Sequence, residues 1–117
     1  MLIATRLPDS DVVRLDYDDG LDEAAMHAAR MTIEAVVDER GRVRLLAVVG
    51  TLGRITVGGL REDLKQFGEV RHIDRIALVT DTTWMRLAAK AEARVLGFEL
   101  RAFSRRAEGE ALAWLTA

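Results

Sequence analysis

Hydrophobic positions along the chain switch between a period of two and a period near 3.6, and the switches mark the elements. Leu2 to Leu7 and Val12 to Asp16 read as two short strands, and the Pro8, Asp9, Ser10, Asp11 break between them predicts a hairpin turn. The single proline suits the second position of a type I turn. Tyr17, Asp18, Asp19 and Gly20 form a polar break before Leu21. A helix then runs to about Arg40, with Ala25, Ala28, Thr32, Ile33 and Val36 on one face and Gly41 as its stop signal. Val43 to Val49 is β-branched and leucine-rich on both faces, as expected for a central strand covered on each side in a mainly parallel sheet.

The next segment, Gly50 to Gly59, holds four glycines in ten residues and reads as a loop. Beyond it Leu60, Leu64 and Phe67 recur at helical spacing, with Arg61, Glu62, Asp63 and Lys65 pointing away. Glu62 and Asp63 near its start, and Arg71 and His72 near its far end, match the polarity of a helix dipole. Ile76 to Thr80 is the second buried strand. Asp81, Thr82 and Thr83 offer N-caps to a helix carrying Trp84, Leu87, Ala88, Ala91 and Val95 on one stripe, which Gly97 ends. Leu100 to Phe103 forms the last strand, and Ala107, Ala111, Trp114 and Leu115 mark one face of a closing helix after Ser104.

The resulting order, ββαβαβαβα, predicts an α/β fold. It has a mixed, mostly parallel sheet, an N-terminal hairpin at one edge and about four helices, in a single domain over residues 1–117. A chain of 117 residues with 50% hydrophobic and 31% charged residues suffices for one core. No cysteine is present, which excludes disulfides, thiolate metal sites and thiol nucleophiles and fits a reducing compartment, so the cytoplasm is the expected location. No segment approaches the ~20 uncharged apolar residues of a membrane span, and a soluble protein is expected. A net charge of −2 removes the simplest electrostatic case for nucleic-acid binding. Arg101, Arg105 and Arg106 gather near the C-terminus, but Glu99, Glu108 and Glu110 alternate with them and only Phe103 offers a stacking face. A solvated surface of mixed charge is the better reading.

Candidate chemistry is sparse. Gly50, Gly53, Gly58 and Gly59 sit beyond the carboxyl end of a buried strand, where open α/β sheets bind ligands. They match neither a P-loop nor the dinucleotide fingerprint, and a plain loop is the favoured reading of the residues. Asp81 lies at the same carboxyl edge, and capping the following helix through the Thr83 or Trp84 amides is its favoured role over ligand contact. Thr51, Thr56, Thr80 and Thr82 lack a neighbouring histidine or carboxylate that would activate them. Only His27 and His72 could supply imidazole. Glu23 and His27, four apart on one helix, read as a surface pair rather than metal ligands, and His72 as a helix-end cap. No metal and no cofactor is expected, and no serine stands in a Gly-x-Ser-x-Gly elbow.

Residues RIALVTDTTW (75–84), preceded by REDLKQFGEVRH (61–72) and GRVRLLAVVG (41–50) and followed by FELRAFSRRAEGEALAWL (98–115), resemble the SpoIIAA-like group of small STAS-like proteins. The resemblance covers most of the chain without a catalytic motif. It implies a STAS-like α/β sandwich, and proteins of this fold include anti-anti-sigma factors, which act by binding partners and are switched by phosphorylation of a serine at the start of the helix after the central strand. Here Thr51 and Thr56 are the only hydroxyls near the matching loop, and neither lies in an Asp-Ser context. The family pattern also often shows a tryptophan where this chain has Leu60 or Arg61, and an aromatic in the first helix where alanine and methionine stand.

Those smaller residues leave room for an apolar groove against the glycine loop. The expectation is therefore a non-enzymatic module that binds a small hydrophobic or lipid-like ligand through Gly50, Thr51, Gly53, Gly58, Gly59, Leu60 and Asp81. The alternative is a regulatory protein-protein interaction module of anti-anti-sigma type, gated at Thr56. Self-association through the edge hairpin is a further expectation.

Overall fold

The computed structural model describes residues 2–17, 23–50, 72–81, 83 and 99–117. Strands β1 (Leu2–Arg6) and β2 (Val12–Tyr17) are followed by helix α1 (Glu23–Arg40) and strands β3 (Val43–Val49), β4 (Ile73–Val79) and β5 (Glu99–Phe103). A 3-10 turn at Arg105–Ala107 leads into helix α2 (Glu108–Thr116). The five strands form one sheet in the order β1-β2-β3-β4-β5. β1 is antiparallel to β2, with Ala4 opposite Leu15, and every other neighbouring pair is parallel, with Leu15 opposite Ala47, Leu46 opposite Ala77, and Leu78 opposite Ala102. The expected mixed sheet with its edge hairpin is thus present. The two further helices expected after Leu60 and from Trp84 lie outside the described residues.

The hairpin differs from a type I turn. Asp9 takes a left-handed φ of 51°, whereas the third position of a type I turn centred on Pro8 sits near −90°. Aspartate tolerates that region because its side chain is short and polar. The loop is closed by Leu7 N–H donating to Val12 O at 3.0 Å, and Ser10 Oγ accepts the Val12 N–H at 3.0 Å. Tyr17 is not part of a polar break: it ends β2, is buried, and its carbonyl accepts the Gly50 N–H at 3.0 Å.

The period of two along each strand divides the core between the two faces of the sheet. On one face Val13, Leu15, Tyr17, Val43, Leu45, Ala47, Val49, Ile76 and Leu78 join Met26, Ala29, Ile33 and Val36 of α1. On the other, Val12, Leu46, Val48, Ala77, Val79 and Phe103 join Ala111 and Leu115 of α2. β3 therefore buries both sides, as its apolar run predicts. The buried stripe of α1 is Met26, Ala29, Ile33, Val36: Ile33 and Val36 are buried as expected, while Met26 and Ala29 stand in place of the expected Ala25, Ala28 and Thr32. With Ile33 pointing at the sheet, the residues one and two turns earlier on the same face are Ala29 and Met26. Ala28 is exposed, and Thr32 Oγ1 donates back to Ala28 O at 3.1 Å.

α1 ends where Gly41 adopts φ 78° and donates its N–H to Val37 O at 2.7 Å, the left-handed cap the sequence predicts. Because α1 joins two parallel strands, it runs antiparallel to them, and its N-terminal half lies toward their carboxyl ends. α2 runs in the same sense. Its last carbonyls are held at the opposite edge by Arg44 and Arg75, at the starts of β3 and β4: Arg44 Nη1 donates to Leu115 O and Arg75 Nη1 to Trp114 O, both at 2.7 Å. These two cations satisfy acceptors that a helix end leaves unpaired and complement the negative end of its dipole.

Candidate functional site

Four parallel strands bring their carboxyl ends to one edge of the sheet, and two of the predicted site residues are found there. Gly50 directly follows β3. Asp81 lies two residues past β4. Extending the Val48–Val79 pairing by two positions sets Gly50 opposite Asp81, so the two fall on neighbouring strand extensions. The Asp81 carboxylate is exposed, and its Oδ1 accepts the Arg105 amide at 3.0 Å, which ties the β4 end to the turn leading into α2. Between them Thr80 is fully buried and donates its N–H to Phe103 O at 3.0 Å. Of the other predicted site residues, Thr51, Gly53, Thr56, Gly58, Gly59 and Leu60 lie outside the described residues.

Phe103 is buried and unavailable to a nucleobase: Arg101 stacks on its ring with Cζ 5.1 Å from the centroid, and Trp114 packs 6.0 Å away. Arg105 and Arg106 are exposed. Glu23 and His27 are both exposed on α1, and among the described residues no three histidines or carboxylates converge as metal ligands. His72 stands immediately before β4, half-buried and engaged by a partner.

The groups that sequence reasoning missed are arginines. Arg14 in β2 reaches Asp16 with Nε 3.0 Å from Oδ2 and also pairs with Glu108 at the start of α2. Hydrogen bonding to Asp16, opposed by partial desolvation and helped by Glu108, raises its pKa above the ordinary arginine value. At the opposite edge Arg42 and Arg44 share Asp11 and Asp74, with Arg42 Nε 2.8 Å from Asp11 Oδ2 and Arg44 Nε 3.3 Å from Asp74 Oδ2. Arg75 bonds Glu99 at 3.0 Å and lies 5.3 Å over the Trp114 ring. The Arg14–Glu108 and Arg75–Trp114 contacts bind α2 to the sheet, whereas the pairs with Asp11, Asp16, Asp74 and Glu99 lie within the sheet. Arg30 on α1 is different: its Nε is shielded from solvent and has no hydrogen-bond partner. Apart from Arg14 and Asp16, two apart on one strand, a period-two or 3.6 pattern carries no signal for these ion pairs, since they depend on which elements lie side by side.

Fold and edge together define a small α/β domain with a five-stranded mixed sheet, helices on both faces and no catalytic constellation among the described residues. A model of the SpoIIAA-like family matches residues 12–116, and the chain belongs to that family. In structure it is similar to an uncharacterized protein of the DUF3478 family with a SpoIIAA-like fold from Shewanella loihica PV-4. The TM-score is 0.64 at 17% identity, over 98% of this chain and 92% of that one. At that identity the likeness is one of fold. No curated protein matches the chain. Among the described residues no helix is long and apolar enough to cross a membrane.

Proposed function

We propose that this SpoIIAA-like domain is a non-enzymatic module that takes a small hydrophobic or lipid-like ligand between α1, the segment 50–59 and the residues from Leu60 onward. The observation that carries the reading is the composition of the inner face of α1. Toward the carboxyl edge of the sheet that face is Met26 and Ala29, in one cluster with Tyr17, Ala47 and Val49, and only farther along does it become Ile33 and Val36. Methionine has an unbranched, polarizable side chain that repacks easily, and alanine leaves volume that a ligand can fill. Gly50 and Asp81 stand at the same edge, where open α/β sheets receive ligands.

Extraction and mass spectrometry of the purified protein, followed by titration of the delipidated protein with a fluorescent apolar probe, tests the reading. The expected result is a co-purifying apolar compound or saturable probe binding weakened by Met26→Glu. Empty preparations together with no saturable probe binding would refute it.

Family membership favours a second reading, a regulatory module that contacts a protein partner through residues 50–60 with Thr56 as its switch. Phosphate at a helix start gains from the dipole and from free amides there. Thr56→Glu and Thr56→Ala should then differ in partner capture, and identical behaviour of both with the unaltered protein would remove the switch.

A further inference from the structure

Strand β1 leaves one side of its backbone unpaired. Leu7 N–H donates to Val12 O, and β1 and β2 keep one unbroken register, from Leu2 opposite Tyr17 to Arg6 opposite Val13. The alternation of an antiparallel ladder therefore turns the backbone groups of Ile3 and Thr5 toward β2 and those of Ala4 and Arg6 outward. Among the described residues nothing pairs with that outer edge. A row of free donors and acceptors is a template for another strand, and edges are ordinarily blunted by charge, proline or a bulge. The other edge strand follows that rule, with exposed Glu99 and Arg101 in β5. β1 does not: Leu2 to Thr5 carry no charge, Ile3 is 48% exposed, and Arg6 is tied to Glu39 of the same chain.

An apolar helix flank adjoins this edge. Because α1 is antiparallel to β2, it runs parallel to β1, and it lies against that strand: Ala4 and Ala25 pack on the cluster that holds Leu2, and Glu39 bonds Arg6. Steps of three and four residues from Ala25 to Glu39 place Ala28, Thr32 and Ala35 on the same flank. Ala28 and Ala35 are exposed, and half-buried Thr32 spends its hydroxyl proton on Ala28 O. Met31, 53% exposed, stands next to them. This is the stripe of small residues that the helical periodicity marks and the sheet leaves uncovered.

We propose that β1 pairs with β1 of a second copy of this chain, antiparallel, about a two-fold axis at Ala4. Setting Ala4 opposite Ala4 puts Leu2 opposite Arg6, and these outward-facing pairs exchange about six backbone hydrogen bonds. Moving the axis one residue either way leaves about four within the strand. The same axis sets exposed Ile3 opposite Thr5 and brings α1 beside its copy in the antiparallel sense, where alanines and threonine permit close approach. A single extended peptide would fill the edge and leave the Ala28 to Ala35 flank bare. A second copy covers both, which singles it out as the occupant. With about ten residues a side, against the ~20–30 of a standard interface, the dimer should form in the micromolar range.

The test takes the full chain through sedimentation equilibrium from ~1 μM to ~1 mM, with amide exchange followed by NMR at low and high concentration. A monomer–dimer equilibrium is expected. At a total concentration ~10 times Kd about one chain in five stays monomeric, so the Ala4 and Arg6 amides should exchange about fivefold more slowly than in dilute protein. The Ile3 and Thr5 amides, already bonded to β2, should change less. Ala4→Pro removes an outward donor and no bond to β2, so it should abolish the dimer and leave a folded monomer. Ala28→Arg, which places a charge in the helix seam, should weaken association about tenfold or more.

A protein monomeric throughout, or a dimer whose Ala4 and Arg6 amides exchange at the dilute rate, would overturn the proposal. A dimer that survives Ala4→Pro would place the interface elsewhere and overturn it as well. The exchange measurement needs no variant, so it decides the matter even where Ala4→Pro does not fold.

Discussion

Replacing Gly41 and Gly109 by alanine, one at a time, is expected to shift stability in opposite directions although neither methyl group meets an obstacle. A Cβ built on either glycine has nothing within 4 Å, so packing contributes equally little to both changes. The difference is conformational. Gly41 sits at φ 78° as the cap of α1, a region that costs an L-residue about 1–2 kcal/mol. Alanine also restricts the unfolded chain, which returns about half a kcal/mol, so Gly41→Ala should destabilise by about 1 kcal/mol. Gly109 is the second residue of α2 in ordinary helical geometry, where alanine should stabilise by about 0.5 kcal/mol. For 117 residues the unfolding entropy is about 0.25 kcal/mol/K. The expected shifts are therefore a fall of about 4 °C for Gly41→Ala and a rise of about 2 °C for Gly109→Ala. Thermal unfolding followed by circular dichroism reads both, and Gly41→Asn should lie between Gly41→Ala and the unaltered protein, since asparagine enters the left-handed region more readily. Shifts of the same sign for the two alanine variants, or a neutral Gly41→Ala, would refute the cap assignment.

The Arg6–Glu39 pair joins β1 to the end of α1, and hydrogen bonding from Arg6 lowers the Glu39 pKa below its ordinary 4.5. A depressed folded-state pKa gives stability that is present above pH 4.5 and lost as pH falls through the lowered value; Arg6→Gln should flatten that acid limb in melting curves recorded against pH. Arg75→Met should cost about 1–2 kcal/mol in urea denaturation, by leaving the Trp114 carbonyl at the end of α2 without its cation. Arg44→Met should cost at least as much, because Arg44 and Asp11 are both largely shielded and the change leaves a carboxylate half-paired. Asp81→Ala should cost about 1 kcal/mol through loss of the acceptor for the Arg105 amide, and Asp81→Asn should restore most of it. Unchanged stability in Asp81→Ala with lost probe binding would instead assign the carboxylate to the ligand.

Local rules and a family resemblance carried the sequence a long way toward the fold. Strands are observed at each of the runs starting at Leu2, Val12, Val43, Ile76 and Leu100, with Leu7 and Thr80 just past the ends of theirs, and Gly41 stops α1 as expected, because both signals are written in adjacent residues. Apolar residues at both even and odd positions of β3 likewise announced a strand covered on two sides. What needed tertiary structure depends on partners distant along the chain. On α1, Ile33 and Val36 turn inward as expected, but in the first turns Met26 and Ala29 replace the expected Ala25 and Ala28, since a run of alanines and methionines has no sharp polar boundary and the sheet beneath it decides the rotation. Composition shows Arg44 and Arg75 only as charges, and they become the clamp on α2 once β3 and β4 lie side by side beneath its last turn. The bond from the Arg105 amide to Asp81 belongs here for the same reason, because it joins residues 24 apart along the chain. The shielded Nε of Arg30 likewise has no mark in the local pattern, since burial belongs to the assembled fold.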